Sequence, residues 1–286
     1  MKLRSLLLSA LMVAGLAAQA QKPIEIKVWP NGAPNSNGIT EGERLKAPDR
    51  PTNVTDPILY VFPADKPNGM AVIACPGGGY VHLSLQNEGF SMADWFNAQG
   101  ITYVVLKYRM PNGHKEVPLS DAQEAIRIVK ARASEWNVDV NKIGIMGASA
   151  GGHLASTAAT HFTAETRPAF QILLYPVICY DPAISHKGSF LNLLGKNPSE
   201  EDIKLYSNDQ QVTADTPPAF IVLASDDTSV PPANSLRYYE ALIKNNVQAT
   251  MHIYPSGRHG FGYKETFLYK RQWTEELEKW LRELYR

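Results

Sequence analysis

Cysteine is nearly missing from this chain: Cys75 and Cys179 are the only two in 286 residues. At most one disulfide is therefore possible. Each cysteine ends an apolar run expected to be a strand, so two buried thiols are the expectation and a disulfide the alternative. No CxxC or HExxH run occurs, and His153 and His161 lie about 12 Å apart along a helix at ~1.5 Å per residue, so no metal site is expected. A surplus of either charge is lacking as well, with 28 basic residues against 28 acidic ones. Near-neutrality argues against nucleic acid as the target. Long apolar runs are absent beyond the first twenty residues, so no membrane span is expected. Those first twenty residues, with Lys2 and Arg4 ahead of an apolar Leu6 to Ala18 stretch and Ala18-Gln19-Ala20 behind it, read as a cleaved secretory leader, residues 1–20. Cleavage there would leave 26 basic against 28 acidic residues, a formal charge of −2, and a first residue of Gln21. No cysteine stands near that point to accept lipid, so a soluble, exported protein, periplasmic or secreted, is expected.

What is present is apolar content, 44% of the chain, enough for one large core. One α/β domain over 21–286 is the expectation. A lead rich in proline and glycine, Lys22 to about Pro57, is expected to wrap the domain surface. Strand patterns follow at Ile58 to Val61, Ala71 to Cys75, Thr102 to Leu106, Ile143 to Met146, Phe170 to Tyr175, Ala219 to Ala224 and Thr250 to Tyr254. Between them, Ala122, Ala125, Ile126 and Val129 fall at helical spacing, as do residues of Asn234 to Lys244, and Trp273, Leu277 and Leu281 mark a C-terminal helix. This alternation predicts a largely parallel sheet covered by helices on both faces. One connection, 177–218, is long for its place between two strands. It reads either as a lid or as a solvent-facing insertion with its own apolar anchor.

Gly147-Ala148-Ser149-Ala150-Gly151 directly follows the apolar run Ile143 to Met146 and opens a small-residue helical stretch, Gly152 to Thr160. A strand-to-helix turn of this kind holds a serine in a strained conformation with its hydroxyl exposed at the positive end of a helix. The alternatives are a plain glycine-rich turn or a dinucleotide loop, although Gly144, Gly147 and Gly151 do not match GxGxxG. A serine hydroxyl attacks only when a histidine takes its proton, and the histidine needs a carboxylate to orient it. The order serine, acid, histidine is met: Asp226 and Asp227 both follow the run Ala219 to Ala224, and His259 follows Thr250 to Tyr254. Either aspartate fits by position; both could instead cap a helix before Pro231-Pro232. Pro76-Gly77-Gly78-Gly79-Tyr80, after the run Ala71 to Cys75, supplies backbone N–H donors for an oxyanion, and Ala150 adds the donor after the serine. His82, His114, His161, His186 and His252 read as structural or surface residues. Tyr80, Trp95 and Tyr180 are candidates for a substrate cleft, with core packing the commoner role of such aromatics.

The segments PGGGY (Pro76 to Tyr80), VLKYRMP (Val105 to Pro111), GASAGGHLA (Gly147 to Ala155), DTSVPP (Asp227 to Pro232) and RHGFG (Arg258 to Gly262) together resemble the α/β-hydrolase superfamily. With the WPNGAP lead at Trp29 to Pro34, the chain is most similar to secreted esterases of polysaccharide-degrading bacteria, the acetylxylan-esterase and feruloyl-esterase-like branch. The resemblance implies an α/β-hydrolase fold and a cofactor-free esterase that removes acetyl or feruloyl groups from plant glycans. It assigns Ser149 as nucleophile, His259 as base, Asp227 rather than Asp226 as orienting acid, and Gly78, Gly79 and Ala150 as oxyanion donors. Pro76 stands where many hormone-sensitive-lipase relatives carry the histidine of HGGG, which makes lipid esters a less expected substrate. The same groups can cleave amides, as in prolyl-oligopeptidase-like peptidases or arylformamidases, and a glycan-binding protein that lost catalysis is a third possibility.

Overall fold

Five consecutive apolar runs are buried along their whole length, which is possible only for strands covered on both faces. The structure is a computed structural model that describes residues 22–286; the expected leader and Gln21 lie outside the described residues. Its strands are β1 (Ile24–Lys27), β2 (Arg44–Leu45), β3 (Pro51–Thr52), β4 (Ile58–Phe62), β5 (Ala71–Cys75), β6 (Thr102–Lys107), β7 (Ile143–Ala148), β8 (Gln171–Leu174), β9 (Ala219–Ala224) and β10 (Ala249–Tyr254). Its helices are α1 (Ala93–Ala98), α2 (Glu116–Ala131), α3 (Ala150–Ala158), α4 (Lys187–Leu194), α5 (Glu200–Leu205), α6 (Ala233–Lys244) and α7 (Lys270–Glu283). Eight strands form one sheet in the order β1-β4-β6-β5-β7-β8-β9-β10, while β2 and β3 form a separate short hairpin. Neighbours pair in parallel from β6 to β10, and β1 and β4 add an antiparallel edge.

After β5 the chain goes to one side of that strand to form β6 and to the other to form β7. Loops leaving the carboxyl ends of β5 and β7 therefore diverge and leave a crevice between them, the place where open α/β sheets bind ligands. The register sets Cys75 beside Gly147, so the glycine loop and the serine turn leave the sheet at the same level. Ala224 likewise pairs with Tyr254, which brings the aspartate and histidine loops out together.

The helices bury the stripes expected of them. Trp273, Leu277 and Leu281 of α7 are buried, and Trp280 meets Phe170 and Phe220 with ring centroids 5.9 and 5.7 Å apart. Each such side chain contributes roughly 1.5–3 kcal/mol on removal from water. The proline-rich lead is held from inside: the Trp29 indole donates to Asp121 at 2.7 Å, and Arg109 donates to Asp121 and to the Asn35 carbonyl.

Three local expectations need correction. The lead is not only a surface wrap, since Ile24–Lys27 alternates and pairs with β4 as an edge strand. Residues 170 to 175 shorten to β8, because Phe170 lies before the ladder and Tyr175 turns away from it at φ 37°. Cys179 lies beyond β8 and in no strand; both cysteines are nonetheless free and buried. The 177–218 connection holds α4, α5 and a short 3-10 turn and buries Phe190, Leu193 and Leu194.

Candidate active site

Ser149 is the last residue before α3, with φ 55° and ψ −121°. That backbone is strained for a residue with a side chain, and it is held by packing. A Cβ at Gly147 would run into the carbonyl of Gly151, and one at Gly151 into that of Cys75, so the turn closes only with glycine at both places. The strain aims the Ser149 hydroxyl at His259, whose Nε2 lies 2.8 Å from Oγ. Nδ1 of His259 lies 2.7 Å from Oδ2 of the buried Asp227. The other Asp227 oxygen accepts the N–H groups of Ser229 and Val230 at 2.9 and 3.0 Å, which locks the carboxylate's orientation. Asp226 points elsewhere and accepts the Arg258 N–H at 2.7 Å.

The glycine loop faces this line of three. Gly78 and Gly79 have φ of 136° and 65°, and among the described residues neither amide N–H meets a protein acceptor. Ala150 opens α3, where the first N–H groups have no partner within the helix. Gly78, Gly79 and Ser149 line one cavity of about 390 Å³ together with His259. A cavity of about 460 Å³ bounded by Lys142 and Tyr285 lies at the opposite end of β7 and holds none of these groups.

Several residues at the site went unassigned in the sequence. Glu88 is buried beneath the glycine loop, accepting the Gly77 N–H at 2.9 Å on one oxygen and the Tyr175 hydroxyl at 2.8 Å on the other. Tyr175 in turn accepts the Gly262 N–H at 2.9 Å and sets its ring edgewise on His259 at 4.9 Å. A single carboxyl thus ties the glycine loop to the histidine loop. Burial holds the Glu88 carboxyl above its usual range, against the opposing pull of the Tyr175 hydrogen bond and of His259. Nothing in the motif pattern marks a lone acid in a turn. His82 and His186, read from sequence as structural or surface, instead line the cavity. Burial draws both imidazoles below their ordinary range, with Lys46 and Arg50 adding to the effect at His82 and His259 at His186. Of the aromatic candidates, Tyr80 is a core residue whose hydroxyl meets His153 at 2.9 Å, and Tyr180 packs on Phe190 at 5.1 Å. Trp95 is half-buried and lines a neighbouring cavity.

The insertion reaches the site through His186 and Asn192 and is bound to the core at several points. The Asn192 side chain donates to the Gly79 carbonyl at 2.8 Å, Asn208 donates to Ser156 of α3 at 2.7 Å, and His153 of α3 meets the Tyr206 carbonyl at 2.8 Å. No metal-binding cluster of His, Cys, Asp or Glu occurs among the described residues, and none of their helices is long and apolar enough to cross a membrane.

An oriented carboxylate, an imidazole, a hydroxyl and free amides across the crevice constitute a geometry for acyl transfer. A model of the alpha/beta hydrolase fold matches residues 72–262. An acetylxylan esterase of Xylanibacter ruminicola is 44% identical over 231 residues, 79% of this chain and 48% of that protein. An endo-1,4-beta-xylanase B of Butyrivibrio fibrisolvens is 34% identical over 205 residues, 66% of this chain and 32% of that protein. The chain thus spans half or less of the length of these curated relatives. The crystal structure of an acetyl ester-xyloside bifunctional hydrolase from Caldicellulosiruptor lactoaceticus superposes with a TM-score of 0.80 at 37% identity, covering 94% of this chain and 98% of that one. With the parallel sheet, the serine turn at its switch point and a family match that spans every one of these loops, the chain belongs to the alpha/beta hydrolase family.

Proposed function

We propose that this protein is an exported serine esterase that removes acetyl groups from xylan or its oligosaccharides through an acyl-enzyme on Ser149. The observation that carries the chemistry is the unbroken line Asp227, His259, Ser149, with spacings of 2.7 and 2.8 Å, in a cavity lined by Gly78 and Gly79, with Ala150 following Ser149 as the first residue of α3. The similarity to an acetylxylan esterase and to an acetyl ester-xyloside hydrolase supports the substrate, and the leader-like first twenty residues support export.

In the first half-reaction the Ser149 oxygen attacks the ester carbonyl and its proton passes to Nε2 of His259. Asp227 keeps the Nδ1–H in place and stabilises the imidazolium. The carbonyl oxygen, now anionic, takes the amide N–H groups that have no acceptor within the protein. Collapse of this intermediate expels the sugar oxygen, which takes the proton from Nε2, and leaves the acetyl group on Ser149. Water then repeats the sequence, with His259 as base, and releases acetate.

Ser149→Ala should lower kcat on 4-nitrophenyl acetate by about 10⁴-fold or more with an unchanged melting temperature, as removal of a serine nucleophile does elsewhere. The native protein should release acetate from acetylated xylan. Full activity in the variant would sink the mechanism, and aryl-ester hydrolysis without acetate release from xylan would sink the substrate. Release of ferulate in place of acetate would move the acyl specificity alone.

A further inference from the structure

The catalytic cavity does not end at the triad. Asn87 and Lys264 line it and also line a second cavity of about 570 Å³, so the two share a wall. Gln86, Ser91 and Asp94 line that second cavity and also a third, of about 470 Å³, edged by Phe90 and Tyr60. Asn87 is pinned where the first two meet, its amide donating to the Gly260 carbonyl at 3.2 Å next to His259.

From this shared wall we infer that an extended binding groove runs from Ser149 past Asn87 and Trp95, and that it holds the neutral sugar chain bearing the ester. The inference rests on the glycan-esterase reading above for its ligand and on the lining residues that the adjoining cavities share for its place. The chemistry of the lining selects the class. Trp95 offers a flat aromatic surface of the kind on which the C–H face of a pyranose ring packs, and Tyr263 lines the same cavity with the Lys270 ammonium 3.6 Å from its ring centroid. The Trp95 side chain is half-buried and lines the cavity, and among the described residues its indole N–H has no protein acceptor. Gln86, Asn87, Asp49, Asp94 and Glu265 add amides and carboxylates suited to hydroxyl groups. In the second cavity Asp49, Asp94 and Glu265, the last paired with Lys270, outnumber the ammonium of Lys264, and with Glu88 and Arg50 of the catalytic cavity added the lining still carries more carboxylates than cations, which disfavours a phosphate backbone or a polyuronate. Polar side chains on most of the wall disfavour a lipid tail. A neutral polyol chain meets all of these conditions, and its length matters because the second and third cavities lie beyond the reacting ester.

The test separates binding from chemistry. In protein carrying Ser149→Ala, calorimetry should show xylohexaose binding at least about tenfold more tightly than xylobiose, and Trp95→Ala should remove most of that difference. Trp95 also packs on Phe96 at 4.9 Å, so Tyr263→Ala, from a loop, serves as a second variant, with melting temperatures measured for both. In enzyme with Ser149 intact, both substitutions should lower kcat/KM for acetylated xylohexaose relative to that for 4-nitrophenyl acetate, again by about tenfold. Equal affinity for the two sugars, or a hexaose preference that survives both substitutions, overturns the groove even if xylan is deacetylated. Hexaose binding that depends on Trp95 or Tyr263, in a protein that releases no acetate from any glycan, overturns the proposed reaction and leaves the groove standing.

Discussion

Two adjacent carboxylates leave one turn in different directions. Asp227 is buried against His259 with its second oxygen held by two backbone amides, while Asp226 is exposed and bonds the Arg258 N–H. Asparagine at 227 would present either a donor or a differently polarised oxygen to Nδ1 and stabilise the wrong tautomer. Asp227→Asn is therefore expected to lower kcat by about 10⁴-fold, and Asp226→Asn by less than about tenfold, in steady-state assays on an aryl acetate. Glu88 carries a second expectation at this scale. It receives two donors, Gly77 N–H and Tyr175 O–H, and a glutamine amide has only one oxygen to offer them. One buried donor is then stranded, a cost of about 1–3 kcal/mol, and the two loops it joins loosen. Glu88→Gln should lower kcat by about tenfold with KM little changed. Tyr175→Phe removes the same link, so the double variant should cost little more than either alone; additive losses would show that Glu88 acts by another route.

Among the elements, the 177–218 insertion is joined to the catalytic parts more firmly than its sequence indicates. Its α4 buries Phe190 edgewise against His153 at 5.3 Å, and Asn192 from the same helix fixes the Gly79 carbonyl. The Gly79 carbonyl is separated from the Gly79 N–H by the two backbone dihedrals of one residue, so holding it narrows the conformations open to the loop that carries the donors. Asn192→Ala deletes one hydrogen bond, typically worth about 1 kcal/mol, and should lower kcat by about three- to tenfold while KM stays near its native value. A rise in KM alone would place Asn192 in substrate binding instead. The length of the segment was legible from its residues, and so were its apolar positions. Where those positions dock was not, because Phe190 and Leu193 have no helical or strand neighbour in sequence that needs them.

For the whole molecule, the buried His153 couples folding to pH. Burial lowers its pKa from 6.5 to about 4, with the hydrogen bond to the Tyr206 carbonyl opposing the shift. In the unfolded chain the ring takes up a proton near pH 6.5, whereas the folded protein resists it until about pH 4. The unfolded state thus binds more protons within that window, so stability is fully present above pH 6.5 and falls as the pH drops toward 4, by roughly 3 kcal/mol in all. Glutamine at 153 keeps a donor for Tyr206 but does not titrate. The urea midpoint of native protein should exceed that of His153→Gln at pH 7.5 and approach it at pH 4.5; a constant gap would show that His153 does not carry the pH dependence. The ring also sits where three parts meet, since Tyr80 of the glycine loop, α3 and the insertion all bond or pack on it. Acid should for that reason loosen the catalytic loops together.

Local chemistry was enough to show strands β4 to β10, helices α2, α3, α6 and α7 and the serine turn, because uninterrupted apolar runs and close glycine packing are properties of neighbouring residues, whereas the short strands β1 to β3 and helices α1, α4 and α5 left no such mark. The order serine, acid, histidine was legible too, since each residue follows a run that could only be a strand. The residues by themselves left Asp226 and Asp227 open, with only the resemblance favouring Asp227; both leave β9 within one turn, and the packing of β10 beside β9 presents the histidine to Asp227. Tertiary structure alone placed Glu88, His82 and His186 at the crevice, because no motif marks these side chains and they meet Tyr175, Ser149 and His259 only once loops distant in sequence have been brought together. The shared wall at Asn87 and Lys264 belongs to the same class: two residues from opposite ends of the domain make one surface only when the sheet has brought their loops together.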